Sequence, residues 1–286
     1  MPVRYNLYEF LRCPRDRNHP LEQKQGAVRC SPCGKEYPVK DDKIIFAQYP
    51  EDAFVRDIHP PERWTRWRKS NFDYFYKELG HISKSKVLFD IGAGPTDFRE
   101  LLLSFDTYIG IDFYPYKLVS VVADVTRELP FKDGSCDIIF MSNVLEHIPN
   151  PALLLRECFR ILRSGGLIIG TVPFLLNVHQ IPYDFNRYTN FMLEKMLNEN
   201  GFSGAQVTSL GTPFDVYWTA QNNFFNLLMQ STLSENRVGH FGKKFLARFG
   251  RKIIYSTSIV FGPVFRLVSP SDIFTLGYGF KAYKRK

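Results

Sequence analysis

The stretch Val87-Leu-Phe-Asp-Ile-Gly-Ala-Gly-Pro95 constrains this chain more than any other. Val87-Leu88-Phe89 is a short run of strand formers, of the length and character of a buried strand in a parallel sheet. It ends in an acid, Asp90, and opens into a turn carrying Gly92 and Gly94. Phe98, Leu101, Leu102 and Phe105 then recur at helical spacing, so the glycine turn lies between a strand and a helix. Glycines there let a ligand approach the backbone closely, and a helix start offers unpaired N–H groups. Strand, acid, glycine turn and helix together read as the opening unit of a nucleotide-binding α/β domain. A two-glycine turn alone serves equally as a plain tight turn, so the reading depends on the residues beyond it.

From Lys86 onward the chain alternates strand and helix patterns, as a doubly wound sheet requires. Tyr108–Ile111 is a second strand, ending at Asp112; Ser120–Ala123 is a third, ending at Asp124. Asp137–Met141 is a fourth, running into Ser142-Asn143 and on to Glu146-His147. Asn150-Pro151 starts a helix whose apolar face runs to Gly165-Gly166, read here as its stop. Leu167–Val172 is a fifth strand, Thr189 caps a further helix, and Ala205–Ser209 with Thr275–Tyr283 form a closing antiparallel pair. Ligands of open α/β sheets bind outside the C-terminal strand ends, so Asp90, Asp112 and Asp124 converge on one crevice. Asp112 stands 18 residues past Gly94, the distance at which an acid accepts from ribose hydroxyls. Pro95-Thr96 interrupts the smooth glycine pattern a dinucleotide needs, so the ligand is an adenosine-containing molecule without pyrophosphate. Asp124 and the Val125 backbone are placed to receive an adenine amino group.

These motifs in combination resemble the class I S-adenosylmethionine-dependent methyltransferases of the broad type 11 group, which includes quinone-biosynthesis enzymes. They are Asp90-Ile-Gly-Ala-Gly, Gly110-Ile-Asp112, Ala123-Asp-Val with Leu129-Pro-Phe131, and Cys136-Asp-Ile-Ile-Phe-Met-Ser-Asn-Val-Leu-Glu-His147. The resemblance covers about residues 86–172. It implies that Asp90, Gly92 and Gly94 line the methionine end of the cofactor, that Asp112 holds the ribose and Asp124 the adenine, and that Ser142-Asn143 passes beneath. His147, at the crevice, is a candidate base; the alternative is a histidine holding its loop through a backbone bond. A second cluster, His179-x-x-Pro182-Tyr-Asp-Phe-Asn-Arg-Tyr-Thr189, comes after the fifth strand on the acceptor side. It resembles a pattern of methyltransferases associated with surface-polysaccharide pathways. His179, Tyr183, Asp184 and Arg187 are its candidates for binding or deprotonating a hydroxylated acceptor. Asp184 and Arg187 pairing only with each other is the competing reading.

The first 50 residues read as a separate module. A Cys-x-x-Cys turn presents two thiolates to one tetrahedral ion, which makes Cys30 and Cys33 half of a zinc site. Cys13 begins the other half, with Asp16 three residues on and His19 nearby. The module resembles the short zinc-ribbon-like domain fused to, or partnering, methyltransferases, and departs from it at the second ligand. Zn2+ held by Cys13, Cys30 and Cys33 with Asp16 or His19 is one reading; a ribbon that has lost its metal is the other.

The expected architecture is a Rossmann-like, seven-stranded doubly wound sheet with a ribbon module (1–50), a linker and helix (51–82) and a methyltransferase domain (83–286). The last carries a helical insertion at about 212–270. Five cysteines and no apolar leader point to a reducing, cytoplasmic setting. The net charge is +8, and from Asn236 onward eleven Lys/Arg face one acid, Asp272. Lys243, Lys244, Arg248, Arg251 and Lys252 are interleaved with apolar positions. That basic element reads as a substrate lid or a face joining two copies of the chain, or as a peripheral membrane contact suited to a lipid-linked saccharide. No recognition motif points to nucleic acid. The expected function is S-adenosylmethionine-dependent O-methylation of a sugar, glycolipid or other small molecule; the alternative is a non-catalytic protein that keeps the cofactor pocket.

Overall fold

A computed structural model describes residues 6–17, 19–49, 65–95, 98–230 and 274–285, with isolated positions between 242 and 260. Five parallel strands form its centre: β5 (Val87–Ile91), β6 (Thr107–Asp112), β7 (Val119–Val122), β8 (Cys136–Ser142) and β9 (Leu162–Pro173). The antiparallel pair β10 (Phe202–Leu210) and β11 (Gly277–Lys284) completes the order β7-β6-β5-β8-β9-β11-β10. These seven strands are the expected sheet, and the order reverses at β5, where a ligand crevice opens.

Each central strand is apolar on both sides because both sides are covered. On β5 and β8, Phe89, Ile139 and Met141 face one core, shared with Leu154, Leu155 and Ile161 of helix α3 (Pro151–Ile161). Leu193 and Leu197 of α4 (Asn190–Glu199) join it. The alternate residues Leu88, Ile138 and Phe140 face the other core with Phe75 and Leu79 of α1 (Arg66–Leu79). Thr65 and Thr189 cap α1 and α4 by accepting from Arg68 N–H and Met192 N–H.

The ribbon supplies four short strands, β1 (Glu22–Lys24), β2 (Ala27–Arg29), β3 (Glu36–Lys40) and β4 (Lys43–Ile45). They do not stand apart. β4 pairs in parallel with β7, Ile44 opposite Val121 and Ile45 opposite Val122, so a single sheet of eleven strands runs through the molecule. Leu11, Val28, Tyr37 and Ile44 share one core with Phe89, Ile109 and Phe131. Arg12 crosses the junction to Glu128 and Asp133 at 2.9 and 3.0 Å.

Several local readings change. The helix after the glycine turn, α2 (Arg99–Leu102), is a single turn. Leu101, Leu102 and Phe105 are buried because the segment packs on the sheet, so helical spacing here marks a covering loop as much as a helix. Helix α3 ends at Ile161, ahead of Gly165-Gly166, because β9 begins at once and bulges against β8 between Leu162 and Leu167. Helix α5 (Pro213–Gln230) begins the expected insertion. The linker prolines 60 and 61, Thr96, Lys243, Lys244, Arg248 and Arg251 lie outside the described residues. Lys252 and Phe249 are exposed. No described helix is long and apolar enough to cross a membrane.

Candidate active site

The crevice at the C-terminal strand ends has two halves. In the first, Gly92 and Ala93 donate backbone N–H bonds to the Ile111 carbonyl (2.8 and 3.0 Å), folding the glycine turn over β6. Gly92 has φ +71°, and a Cβ there would lie 2.6 Å from Val144 Cγ2, so only glycine lets this turn meet the loop after β8. Asp112 accepts from Gly94 N–H (2.8 Å) and Tyr114 N–H (2.9 Å), which fixes its carboxylate at the crevice floor. Burial raises its carboxyl above the ordinary range despite those bonds. Asp90 is 2% exposed and accepts from the Tyr108 hydroxyl at 2.8 Å; burial pushes its carboxyl up to about 7. Asp124 accepts from Thr126 N–H and Oγ1–H (3.0 and 2.6 Å) and pairs with Arg127, next to the half-buried Val125.

Asn143 closes this half. It is held in the left-handed region (φ 57°), donates its N–H to the Thr171 carbonyl at 3.0 Å and accepts from Trp67 Nε1–H at 3.1 Å. The body of α1 therefore lies on the sheet while its first turn reaches the crevice. Arg66 fixes that turn through Asp215 of α5 (2.6 Å) and stands 5.0 Å from the Phe214 and Trp218 ring centres.

The second half is built from two loops distant in sequence. Phe185 N–H and Asn186 N–H donate to the Glu146 carbonyl (2.8 and 3.2 Å), laying the loop after β9 against the turn Leu145–His147. This brings His147 and His179 edge to face, ring centres 4.9 Å apart. His147 Nδ1 meets the Tyr183 carbonyl at 2.5 Å. Asp184 accepts the His179 backbone N–H (2.8 Å), lies 3.1 Å from His179 Nδ1, and takes both arms of Arg187 (2.6 and 2.8 Å). The Arg187 bonds, above all, hold the Asp184 carboxyl well below its usual range. Asp184 and Arg187 thus pair with each other, and Asp184 also holds His179. Tyr183 contributes its carbonyl, while its side chain is part of a residue 63% exposed.

Glu146 was not singled out from the sequence. It is 0% exposed, and neither carboxylate oxygen has a hydrogen-bond partner among the described residues. Burial, the dominant cause, pushes its carboxyl up to about 8. The available signal was its place inside the apolar run Val144-Leu145-Glu-His-Ile148, where a solvated acid is out of keeping.

In the ribbon, Cys13 and Cys30 lead two facing turns, closed by Cys13 N–H to the His19 carbonyl and Cys30 N–H to the Lys35 carbonyl. The sulfurs of Cys13, Cys30 and Cys33 lie within 4.8 Å of one another. Three thiols fit three positions of a tetrahedral zinc site. Asp16 is not in this cluster: its carboxylate engages His19 Nδ1 at 2.6 Å, and the Tyr37 hydroxyl instead approaches Cys13 Sγ at 3.5 Å. A cavity of about 240 Å3 lies at the sheet's opposite end, lined by Glu78, Lys86, Asp137 and Lys281 among others.

Comparison with known families finds likeness to methyltransferases. Residues 89–170 match the family model described as a methyltransferase domain, and residues 4–42 match that of Trm112p-like proteins. The chain carries both: a methyltransferase domain behind a Trm112p-like module. An uncharacterized protein of Methanocaldococcus jannaschii is 28% identical over 51% of this chain and 80% of its own length. An uncharacterized methyltransferase of Mycobacterium marinum is 32% identical over 34% of this chain and 43% of its own. A Mycolicibacterium smegmatis protein described as a probable S-adenosylmethionine-dependent methyltransferase is 29% identical over 34% and 42%. The chain thus spans less than half the length of these mycobacterial relatives. Among solved structures, one holding the Haloferax volcanii Trm112 methyltransferase activator is similar at TM-score 0.49 and 16% identity, over 76% of this chain and 90% of that one. Haemonchus contortus phosphoethanolamine N-methyltransferase 2 is similar at TM-score 0.47 and 17% identity, over 77% and 53%.

Proposed function

We propose that this protein transfers the methyl group of S-adenosylmethionine to a hydroxyl oxygen of a small-molecule acceptor, a sugar or glycolipid being the favoured class. The observation that carries the cofactor reading is Asp112, pinned by Gly94 and Tyr114 N–H with its carboxylate at the crevice. In this reading Asp112 takes the ribose hydroxyls, Asp124 and Val125 the adenine, and Asp90, Gly92, Gly94 and Asn143 the methionine end. Bound there, the cofactor supplies an activated methyl on a sulfonium. The protein's own work is to align the acceptor oxygen in line with that carbon and keep water away. His147 and His179 face the acceptor; Asp184 and Arg187 position His179. The oxygen acceptor is favoured because two imidazoles and a carboxylate gather where a proton must leave.

We assign residues 1–50 to the ribbon, 51–82 to a linker and helix, and 83–286 to the catalytic domain with its insertion. The Trm112p-like match and the β4–β7 pairing support a module that braces the cofactor side in cis, with zinc held by the Cys13, Cys30 and Cys33 thiols. Calorimetric titration with S-adenosylhomocysteine and, separately, NADH tests the function. Micromolar binding of the first alone is expected, followed by methyl transfer to a hydroxylated acceptor. Binding of NADH alone, or of neither ligand, would overturn the reading.

A further inference from the structure

We propose that Glu146, His147 and His179 form a binding site for one divalent first-row metal cation, which holds and acidifies the acceptor hydroxyl beside the methyl donor. The second half of this rests on the methyl-transfer reading; the existence of the site does not.

Glu146 Oε1 lies 3.8 Å from His147 Nε2 and 3.9 Å from His179 Nε2. One ligand atom from each of the three residues falls within 4.8 Å of the other two. Ligands bonded at about 2.0–2.2 Å to a common ion stand roughly 3.0–3.5 Å apart, so each Glu146–imidazole spacing reaches that range with a contraction of about half an ångström. At the present spacing the Glu146 oxygen is too far from either imidazole to hydrogen-bond, yet close enough to share a small ion with both. A fully buried carboxyl with neither oxygen hydrogen-bonded is costly, and its ionised form needs something of opposite charge to complete it. A cation at the centre does so.

The surroundings prepare the imidazoles as ligands. His147 presents Nδ1 to the Tyr183 carbonyl, an acceptor only, so that nitrogen carries the proton and Nε2 is the basic one. His179 presents Nδ1 to the Asn177 carbonyl at 3.4 Å and to Asp184 Oδ2 at 3.1 Å, both acceptors only, with the same consequence. Both Nε2 atoms face Glu146. Carboxylate and carbonyl partners behind metal-binding histidines fix ring and tautomer in this way, and Arg187 in turn fixes Asp184. Two imidazoles and one carboxylate suit Mn2+, Fe2+, Co2+ or Zn2+ and leave positions open for oxygen ligands.

An acceptor hydroxyl on such an ion loses its proton more readily, as metal-bound water does. Its oxygen then attacks the sulfonium methyl carbon. The C–O bond forms as the C–S bond breaks, the bonding pair stays on sulfur as a neutral thioether, and the hydroxyl proton passes to water.

The test uses the full chain purified without chelator. Elemental analysis counts resident metal, and Mn2+, which thiolates of the ribbon disfavour, is titrated by electron paramagnetic resonance. Wild type should hold one equivalent, resident or added, that Glu146→Gln and His179→Gln bind at least tenfold more weakly or lack. S-adenosylhomocysteine affinity should stay within about twofold. Should Glu146→Gln fail to fold, His147→Gln gives the same reading from a less buried position. Equal metal content and equal Mn2+ affinity in wild type and folded variants would overturn the site. Metal bound by wild type without any S-adenosylhomocysteine binding would keep the site and overturn the ion's role in methyl transfer.

Discussion

The two halves of the crevice treat their acids in opposite ways. On the cofactor side every carboxylate already has a donor from the chain: Asp90 from Tyr108, Asp112 from Gly94 and Tyr114, Asp124 from Thr126. On the acceptor side Asp184 is fully bonded, but Glu146, one loop away and as deeply buried, has no hydrogen bond to either oxygen among the described residues. The first half is finished by backbone geometry and is set to receive a ligand of fixed shape. The second is an arrangement of supports around an unsatisfied centre. Pre-organisation completed in the polypeptide reads as a cofactor site; pre-organisation that stops one charge short reads as a place for something else to bind.

This contrast can be broken most severely at Arg187. Arg187→Ala leaves Asp184 with only His179 as its partner among the described residues, through the backbone N–H at 2.8 Å and Nδ1 at 3.1 Å, at a cost on the order of 3 kcal/mol. Denaturant unfolding should show that loss, and acceptor turnover should fall with it as His179 loses its support. Gly92→Ala attacks the other half: a positive φ and the close Val144 together predict about 2–3 kcal/mol of destabilisation. Here the expected companion effect is weaker S-adenosylhomocysteine binding, with Mn2+ affinity retained. Asp112→Ala should weaken cofactor binding by about 1–3 kcal/mol while leaving the acceptor half intact, read by calorimetry. Unchanged affinity would remove the ribose assignment.

Smaller effects sharpen the comparison. The Asp90 carboxyl, raised to about 7 by burial, binds its proton more tightly folded than unfolded. Its contribution is therefore present below about pH 4 and lost as pH rises from about 4 through 7. Asp90→Asn should remove that decline and gain on the order of 1–2 kcal/mol at pH 8 in the ligand-free protein, seen as a flatter curve of melting temperature against pH. Tyr183→Phe should do least. The Tyr183 partner of His147 is a carbonyl, so stability should stay within about 0.5 kcal/mol and turnover within about twofold. A tenfold loss would return the phenol to the chemistry.

Legibility in the sequence divides along the same line. The strand–acid–glycine pattern is local, and the structure places Asp90, Gly92 and Asp112 on or beside the two adjacent strands where the period of the chain puts them. The sheet itself was legible for that reason, since runs such as residues 138–141 are apolar at both parities. Glu146 was not, because its burial depends on the distant loop carrying Phe185 and Asn186 folding across it. Spacing alone set Asp16 beside Cys13, and it could not show that the carboxylate turns to His19, three residues further on. The end of α3 was read at Gly165-Gly166, whereas a strand bulge accommodates those residues. Nothing in residues 43–45 announces a parallel partner in β7, because parallel pairing between distant segments leaves no local mark.

That pairing has a consequence for how the molecule comes apart. A β-sheet edge is a row of unpaired donors and acceptors able to recruit any extended chain, and β7 would present such a row without β4 beside it. The ribbon therefore acts as a physical stopper, and its side chains belong to the same core that lies beneath the glycine turn. Heat or denaturant should find one melting unit rather than two. Proteolytic loss of the first fifty residues would leave a self-associating sheet, not a smaller soluble enzyme.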